Sequence, residues 1–326
     1  MTELSAQIGF FGKLPSRGDF VKTADQHALM DLLDRWIGQG LELLSQGADW
    51  KQSYDTASPL HFVLLGSRSR PVIAGHLLPS TDAAGRRFPF LAAIRLEVAA
   101  PLEFMARSPL VFTRLWATLA RAGREANAAT DAGDTLRKLA ETRIALNTTA
   151  AGHDAPFFDF LDTQELGSAE EALRNAGHSQ VELRLLLPAL GVMLQPANKG
   201  GAPHIDKNLS LPLPSDPLYR ALFAAFWLDL IAAFLTRSDL EVAVLIQHGP
   251  SPRMIVGFNG TDGNALHSAL DAIAAREKSI DIDCPEWVED VLEEQPSLAR
   301  LSSYLEHDDL SLRSAREVFR STFLGG

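Results

Sequence analysis

Two loops in the first third of the chain concentrate the residue types that could bind a partner or react. Residues 12–19 read GKLPSRGD and follow a short apolar run, and residues 79–89 read PSTDAAGRRFP. Loops at the ends of strands of one sheet can meet at one edge, where binding sites usually lie. We therefore expect the two loops to lie close together with their opposite charges paired. The predicted pairs are Asp19 with Arg86 or Arg87, or Asp82 with Arg17 or Lys13.

The residues of these loops allow a structural and a functional interpretation. A phosphate-binding loop is disfavoured, because Leu14 and Pro15 follow Lys13 and no glycine stands five residues before Gly12. In the structural interpretation Gly18 supplies a positive φ, and the charged side chains brace the fold. In the functional interpretation the arginines form a recognition surface. Burial distinguishes the two interpretations, because a binding patch leaves the charged ends of the lysine and arginine side chains in solvent.

Templates for catalysis and metal binding are not matched. The segment 66–70, GSRSR, lacks the second glycine of a nucleophile elbow. Cys284 lies among acidic residues, which raise the pKa of a thiol, and His204 with Asp206 lacks a third ligand. We therefore predict no catalytic residue, no metal, no cofactor and no enzymatic activity. A hydrolase or phosphatase with an unfamiliar site stays open as an alternative.

Composition limits the function classes further. The 326 residues carry a net charge of −11, which argues against nucleic-acid binding, and one cysteine excludes an internal disulfide. The N-terminus lacks a signal-peptide pattern. The longest apolar run, 221–235, contains Asp229 and is shorter than the ~20 residues of a membrane span. These features predict a cytoplasmic protein without membrane insertion and a buried core helix at 221–235; the oligomeric state stays open.

Hydrophobic periodicity predicts the elements that position the two loops. The predicted strands are 7–11, 60–65, 72–78, 88–98, 205–211, 240–247 and 253–258, and the predicted helices are 25–46, 102–124, 135–146, 169–176, 217–235 and 264–276. The clearest loop is 195–203. Short links between successive strands favour antiparallel neighbours. We therefore predict an α+β fold with two mixed halves, each a mainly antiparallel sheet with packed helices.

The same pattern suggests an organisation into segments. We expect an N-terminal domain at 1–125, a helical linker region at 126–200, a C-terminal α+β subdomain at 201–280 and an acidic helical tail at 281–326.

The two loops carry a resemblance to a known family. Residues 8–21, IGFFGKLPSRGDFV, resemble the opening of the TagF family, also called ImpM, of type VI secretion accessory proteins, and residues 78–90, LPSTDAAGRRFPF, resemble its second hallmark. The resemblance covers roughly residues 7–119. It makes the motif residues a candidate binding patch: Gly12, Lys13, Pro15, Ser16, Arg17, Gly18, Asp19, Phe20, Pro79, Ser80, Asp82, Gly85, Arg86, Phe88 and Pro89.

The resemblance implies a cytoplasmic, non-enzymatic negative regulator of type VI secretion. Such a protein acts after translation through protein contacts and engages the forkhead-associated (FHA) scaffold protein of the system. A structural or assembly subunit of the apparatus is the alternative within the same system. Deletion distinguishes them, because loss of a repressor raises secretion and loss of a subunit lowers it.

Overall fold

The computed structural model of the chain describes residues 3–198, 205–283, 285 and 287–325. The strands are β1 (Glu3–Gln7), β2 (Gly9–Gly12), β3 (Val21–Lys22), β4 (Leu60–Gly66), β5 (Pro71–Leu78), β6 (Phe90–Glu97), β7 (Arg143–Asn147), β8 (Asn208–Pro212), β9 (Glu241–Gln247), β10 (Arg253–Gly257) and β11 (Ser279–Asp281). The helices are α1 (His27–Ser45), α2 (Trp50–Thr56), α3 (Pro101–Ala128), α4 (Gly133–Glu141), α5 (Asp154–Thr163), α6 (Leu166–Arg174), α7 (Leu183–Asn198), α8 (Pro217–Phe234), α9 (Asn264–Leu270), α10 (Ala272–Lys278), α11 (Trp287–Glu294), α12 (Pro296–Tyr304) and α13 (Leu312–Leu324).

One sheet runs through both halves of the chain. Its strand order is β11-β8-β10-β9-β4-β5-β6-β2-β3, and its pairs are antiparallel except that of β11 with β8. The α+β class and the mainly antiparallel strands of each half are confirmed. The sequence did not predict that the halves join edge to edge, where β4 pairs with β9 and Val63 lies opposite Val244. The segment boundaries at 125, 200 and 280 stay predictions.

Helices cover both faces of the sheet. Because side chains alternate between faces along a strand, Val63 and Leu65 of β4 face the core formed with α3 and α8. Phe62 and Leu64 of the same strand face the core formed with α1 and α9. Both faces of the central strands are therefore buried, which accounts for their nearly continuous apolar sequence.

The helix predicted at 217–235, with its buried core at 221–235, is present as α8. Its apolar side chains surround the helix, so α3, α5, α7 and α13 can all pack against it. Among the described residues, α8 is the one helix that is long and apolar enough to cross a membrane, but most of it is buried inside the fold. The expected partner of buried Asp229 is present, since three arginines contact its carboxylate: Arg107, Arg316 and Arg320.

The predicted helix at 135–146 is wrong in its second half. Helix α4 ends at Glu141, and residues 143–147 form β7, which pairs antiparallel with β1 in a separate two-stranded sheet. A long-range strand partner decides this segment, and local periodicity cannot report such a partner. The predicted helix at 264–276 is divided at Asp271, whose side chain accepts a hydrogen bond from the Ile273 N–H and so caps α10.

The predicted loop at 195–203 is also wrong at its start, because α7 continues to Asn198 with Pro196 inside it. Residues 199–203, His204 and Cys284 lie outside the described residues. The interpretations given for His204 and Cys284 therefore stay predictions.

Candidate functional site

The two motif loops meet, as predicted, and their closest approach lies between Gly12 and Pro89. Gly12 has a φ of +132°, and a Cβ atom placed on it would lie 2.0 Å from the carbonyl oxygen of Pro89. An L side chain fits neither this φ nor this gap. Glycine at the start of the first motif is therefore required by the backbone of the second. We call the joined loops, residues 12–20 and 79–89, the motif junction.

A buried ion pair joins the two loops. Lys13 Nζ lies 3.0 Å from Asp82 Oδ2, with 9% of the Lys13 side chain and none of the Asp82 side chain exposed. This contact is one of the alternatives predicted from the sequence. Because each charge would be costly to bury alone, the pair links the shape of one loop to that of the other.

Asp82 also organises its own loop. Its Oδ1 accepts hydrogen bonds from the backbone N–H groups of Ala84 and Arg86, and its Oδ2 accepts one from Arg86 Nε at 2.7 Å. Burial alone raises the pKa of the Asp82 carboxyl. The hydrogen bonds from the Arg86 backbone, from the Lys13 and Arg86 side chains and from Ala84 outweigh it and hold that pKa far below its usual range. Asp82 is therefore a fixed carboxylate at neutral pH.

Backbone contacts complete the junction. The Ala83 N–H donates to the Arg17 carbonyl at 2.8 Å, and Arg86 Nη2 donates to the Gly18 carbonyl at 2.9 Å. Gly85 takes a φ of +76° in the tight turn that Asp82 caps. Gly18 has no positive φ among the described residues, so that part of the structural interpretation is wrong, and Gly12 and Gly85 hold the special conformations instead.

An aromatic cluster lies beside the ion pair. The Phe20 ring stacks on Phe11 at 5.3 Å and meets the edge of Phe88 at 4.9 Å, and Lys13 Nζ lies 5.0 Å from the Phe20 centroid. Phe20 nevertheless keeps 42% of its surface exposed. The cluster holds an aromatic ring in place at the surface.

The remaining predicted residues have separate contacts. Asp19 accepts a hydrogen bond from the Phe20 N–H and makes no ion pair with Arg86 or Arg87 among the described contacts. Arg87 pairs with Asp55 instead. Ser80 donates to Asn127 at 2.7 Å and exchanges backbone hydrogen bonds with the Tyr54 hydroxyl. These contacts fix the second loop against α2 and α3.

Burial divides the candidate patch into two parts. Lys13, Ser80, Asp82 and Pro89 are buried and brace the loops. Other members of the patch stay at the surface: Pro15, Arg17, Gly18, Asp19, Phe20, Gly85 and Arg86. Of the arginine side chains, 43% of Arg17 and 63% of Arg86 are exposed. We define the motif face by the charged and aromatic residues among them: Arg17, Asp19, Phe20 and Arg86. Whether this face binds a partner stays a prediction.

A histidine cluster that the sequence did not predict, His61, His76 and His248, lies on the α3–α8 side of the sheet. His61 Nδ1 lies 3.0 Å from His76 Nδ1, and the His61 ring meets that of His248 at 4.3 Å, edge to face. The signal was the hairpin register: His61 and His76 pair across β4 and β5, and alternation places both with Val63 on one face. His248 follows β9, whose pairing with β4 the sequence did not predict.

The three imidazoles are held in the neutral form. Burial lowers the pKa of His61 well below its usual value, and His76 and His248 lower it further. Burial together with the charges of nearby residues lowers the pKa of His76 to about 3 and that of His248 to about 4. In the described part of the chain, no group of three metal-ligating side chains is arranged to hold a metal ion.

Comparison with known proteins identifies a family model that matches the first part of the chain. Residues 9–142 match the family model described as "TagF N-terminal domain, Type VI secretion system-associated". A crystal structure of PA0076 from Pseudomonas aeruginosa PAO1 is 24% identical, with a TM-score of 0.33. The match covers 41% of this chain and 61% of that one. No curated protein sequence matches the chain. Both motif loops fall inside the matched residues, so this part of the chain, residues 9–142, matches the N-terminal domain of the type VI secretion-associated TagF family.

Proposed function

We propose that this protein is a cytoplasmic, non-enzymatic accessory protein that restrains type VI secretion after translation by binding another component of the system. The proposed partner is the FHA-domain scaffold protein that the family resemblance implies. The observation that carries this proposal is the motif face, which is exposed although the junction beneath it is rigidly braced.

The composition of the motif face suits a protein interface. Arginine and aromatic residues are enriched at the energetic centres of interfaces. Here Phe20 is held by Phe11 and Phe88, and Arg86 is held by Asp82 and the Gly18 carbonyl, so little conformational entropy is lost when a partner binds. The exposed guanidinium groups of Arg17 and Arg86 fit a partner surface that carries carboxylates.

The polar groups of the junction support a binding role over a catalytic one. Asp82 receives its hydrogen bonds from Lys13, Arg86 and the backbone of its own loop. A general base needs a pKa near the working pH, whereas the pKa of Asp82 lies far below it. The carboxylate is therefore suited to holding the loop and not to moving protons.

Co-precipitation and secretion assays in a type VI-competent bacterium that produces this protein test the proposal. Arg17→Glu places a negative charge on the motif face while disturbing only an exposed ion pair with Asp131. We expect it to reduce recovery of the FHA scaffold about tenfold or more and to raise secretion towards the level of a deletion strain. Arg121→Glu, which changes an exposed arginine of α3 outside the motif face, is the matched control.

Two outcomes contradict the proposal. A folded Arg17→Glu protein that binds the scaffold and represses as the wild type does would exclude this face as the functional surface. A deletion strain that secretes less would favour the assembly-subunit alternative, because a repressor must release secretion when it is removed.

A further inference from the structure

A second candidate site lies where the two halves of the chain meet. A cavity of about 390 Å³ opens between α3 and α8, and its inner wall is formed by residues of β4, β5 and β9 and by the histidine cluster. We call it the seam cavity. Its volume lies within the range of about 300–1,000 Å³ that is usual for small-molecule sites. It shares no residue with the motif junction.

The walls of the seam cavity are mostly apolar. Trp116, Ala120, Ala221 and Ile246 contribute to them, and each of these residues is largely buried. The Trp116 indole stacks on the His61 imidazole at 4.9 Å with 7° between the ring planes. Flat aromatic surfaces and small alanine side chains leave room for an apolar ring or short chain.

The charges that line the cavity are positive. Arg124 and Arg220 line it, and within the described residues no carboxylate forms an ion pair with either guanidinium. Arg220 donates to the Pro214 and Ser215 carbonyls and contacts His248 Nδ1 at 2.7 Å. Asp216 attracts Arg220 electrostatically but forms no ion pair with it among the described residues, so an anion in the cavity can still pair directly with this half-buried guanidinium.

The histidine cluster adds hydrogen-bonding capacity without adding charge. Among the described residues, the Nε2 atoms of His76 and His248 and the Trp116 Nε1 atom are buried without a hydrogen-bond partner. His76 is itself 4% exposed. Buried polar atoms are nearly always paired in native proteins. Their lack of partners indicates that another molecule, or a side-chain rotation that accompanies its binding, completes this site.

We propose that the seam cavity binds a small organic anion, whose carboxylate or phosphate group pairs with Arg220 and Arg124 and whose apolar body lies against Trp116. The ligand would contact α3 and β4 of the N-terminal half and α8 of the C-terminal half. It would therefore hold the two halves together. The proposal goes beyond the proposed function and does not depend on it.

Calorimetry on the full chain tests the site with phenyl phosphate and benzoate as anionic probes and benzyl alcohol as the neutral probe. We expect one anionic probe to bind with a Kd of about 1 mM or below and benzyl alcohol to bind at least about tenfold more weakly. The same probe should raise the melting temperature in a concentration-dependent way. A phosphate preference over benzoate, or the reverse, identifies the anionic group.

Variants locate the binding. Arg124→Gln removes an exposed guanidinium that makes no hydrogen bond among the described contacts, so the fold should persist while the affinity falls about tenfold. Ala117→Trp, at an exposed position of α3 on the cavity wall, should abolish binding by filling the opening. Arg121→Gln, which does not line the cavity, should bind as the wild type does.

The proposal is overturned if neither anionic probe binds the wild type, or if benzyl alcohol binds as tightly as they do. It is also overturned if Arg124→Gln and Ala117→Trp both bind like the wild type, because binding would then lie elsewhere.

Discussion

Lys13 Nζ lies 3.0 Å from Asp82 Oδ2, so one buried ion pair connects the two sequence motifs of the N-terminal domain. In the chain the motifs are separated by two helices, α1 and α2, and by the β4–β5 hairpin, but the fold makes them one structural unit. The pair gives the buried Lys13 of the first motif and the buried Asp82 of the second a shared structural role.

We predict that Asp82→Asn loosens the motif junction. The substitution leaves the buried Lys13 cation without its counter-charge and weakens the hydrogen bonds that shape the second loop. The melting temperature should fall by several degrees, and amide exchange in residues 13–20 should become faster. Asp19→Asn is the control, because Asp19 is exposed and its side chain has, among the described residues, one hydrogen bond, from the neighbouring Phe20 N–H. Unchanged exchange in Asp82→Asn would show that the pair does not couple the loops.

Gly12→Ala should be strongly destabilising. Its Cβ would overlap the Pro89 carbonyl, and alanine is strained at a φ of +132°. We expect a loss of at least about 3 kcal/mol in the free energy of unfolding, measured by urea denaturation. Gly18→Ala in the same loop should change stability by less than about 1 kcal/mol, since no atom lies within 4 Å of its Cβ position. Equal losses in both variants would refute this account of the junction.

Asp229→Asn should detach the C-terminal helix α13. Asp229 is 4% exposed, and its carboxylate lies 2.6 Å from Arg316 Nε and 2.8 Å from Arg320 Nη2 of that helix. Burial alone raises the pKa of Asp229. The three arginines Arg316, Arg320 and Arg107 lower that pKa by more than burial raises it, so the carboxyl group is ionised at neutral pH. Removing its charge leaves partly buried guanidinium groups unpaired and should cost about 3–5 kcal/mol.

Protease cleavage within α13, together with urea denaturation, measures this effect. Asp162→Asn is the matched control, because it removes an exposed partner of Arg313 on the same helix and should change little. Resistance of α13 to cleavage in Asp229→Asn would contradict the prediction.

Stability should fall as the pH decreases from 7 to 5, in part through the histidine cluster. The pKa of His76 is about 3 in the folded protein and about 6.5 in the unfolded chain, so only the unfolded state gains a proton over this range. His76 is held neutral by burial and by the charges of His248 and Arg124. Its contribution is fully present above pH 6.5, and about 2 kcal/mol of it is lost by pH 5.

Urea denaturation at several pH values measures this slope. His76→Gln should flatten the pH dependence by about that amount, whatever its effect at pH 7. His27→Gln changes an exposed histidine of α1 and should retain the wild-type slope. Parallel curves for His76→Gln and the wild type would contradict the assignment.

The sequence predicted the elements whose signals are local. The hairpin of β4 and β5 follows from apolar runs with a short link, and α8 follows from its continuous apolar surface. The meeting of the motif loops was also predictable, because both carry opposite charges and turn residues. Which of the predicted ion pairs forms depends on the geometry of the two loops, and composition does not determine that geometry.

The features that were missed depend on contacts between distant segments. Strand β7 exists because β1 offers it a partner, and the seam of the sheet exists because β9 pairs with β4. The histidine cluster needs that same seam, since it brings His248 to His61. Arg220 reaches the cavity from the first turns of α8, and a periodic apolar pattern does not indicate such a position.

The pairing of β4 with β9 affects the chain during synthesis and after truncation. On the ribosome, β4 emerges roughly 9–36 s before β9 at about 5–20 residues per second, so its hydrogen-bonding edge is unprotected for that interval. The strand reads LHFVLLG, with no lysine or proline to block pairing with another chain. A fragment that ends at residue 142 would keep the same open edge permanently and should self-associate. By pairing with β4, strand β9 of the C-terminal half covers this edge within the same chain.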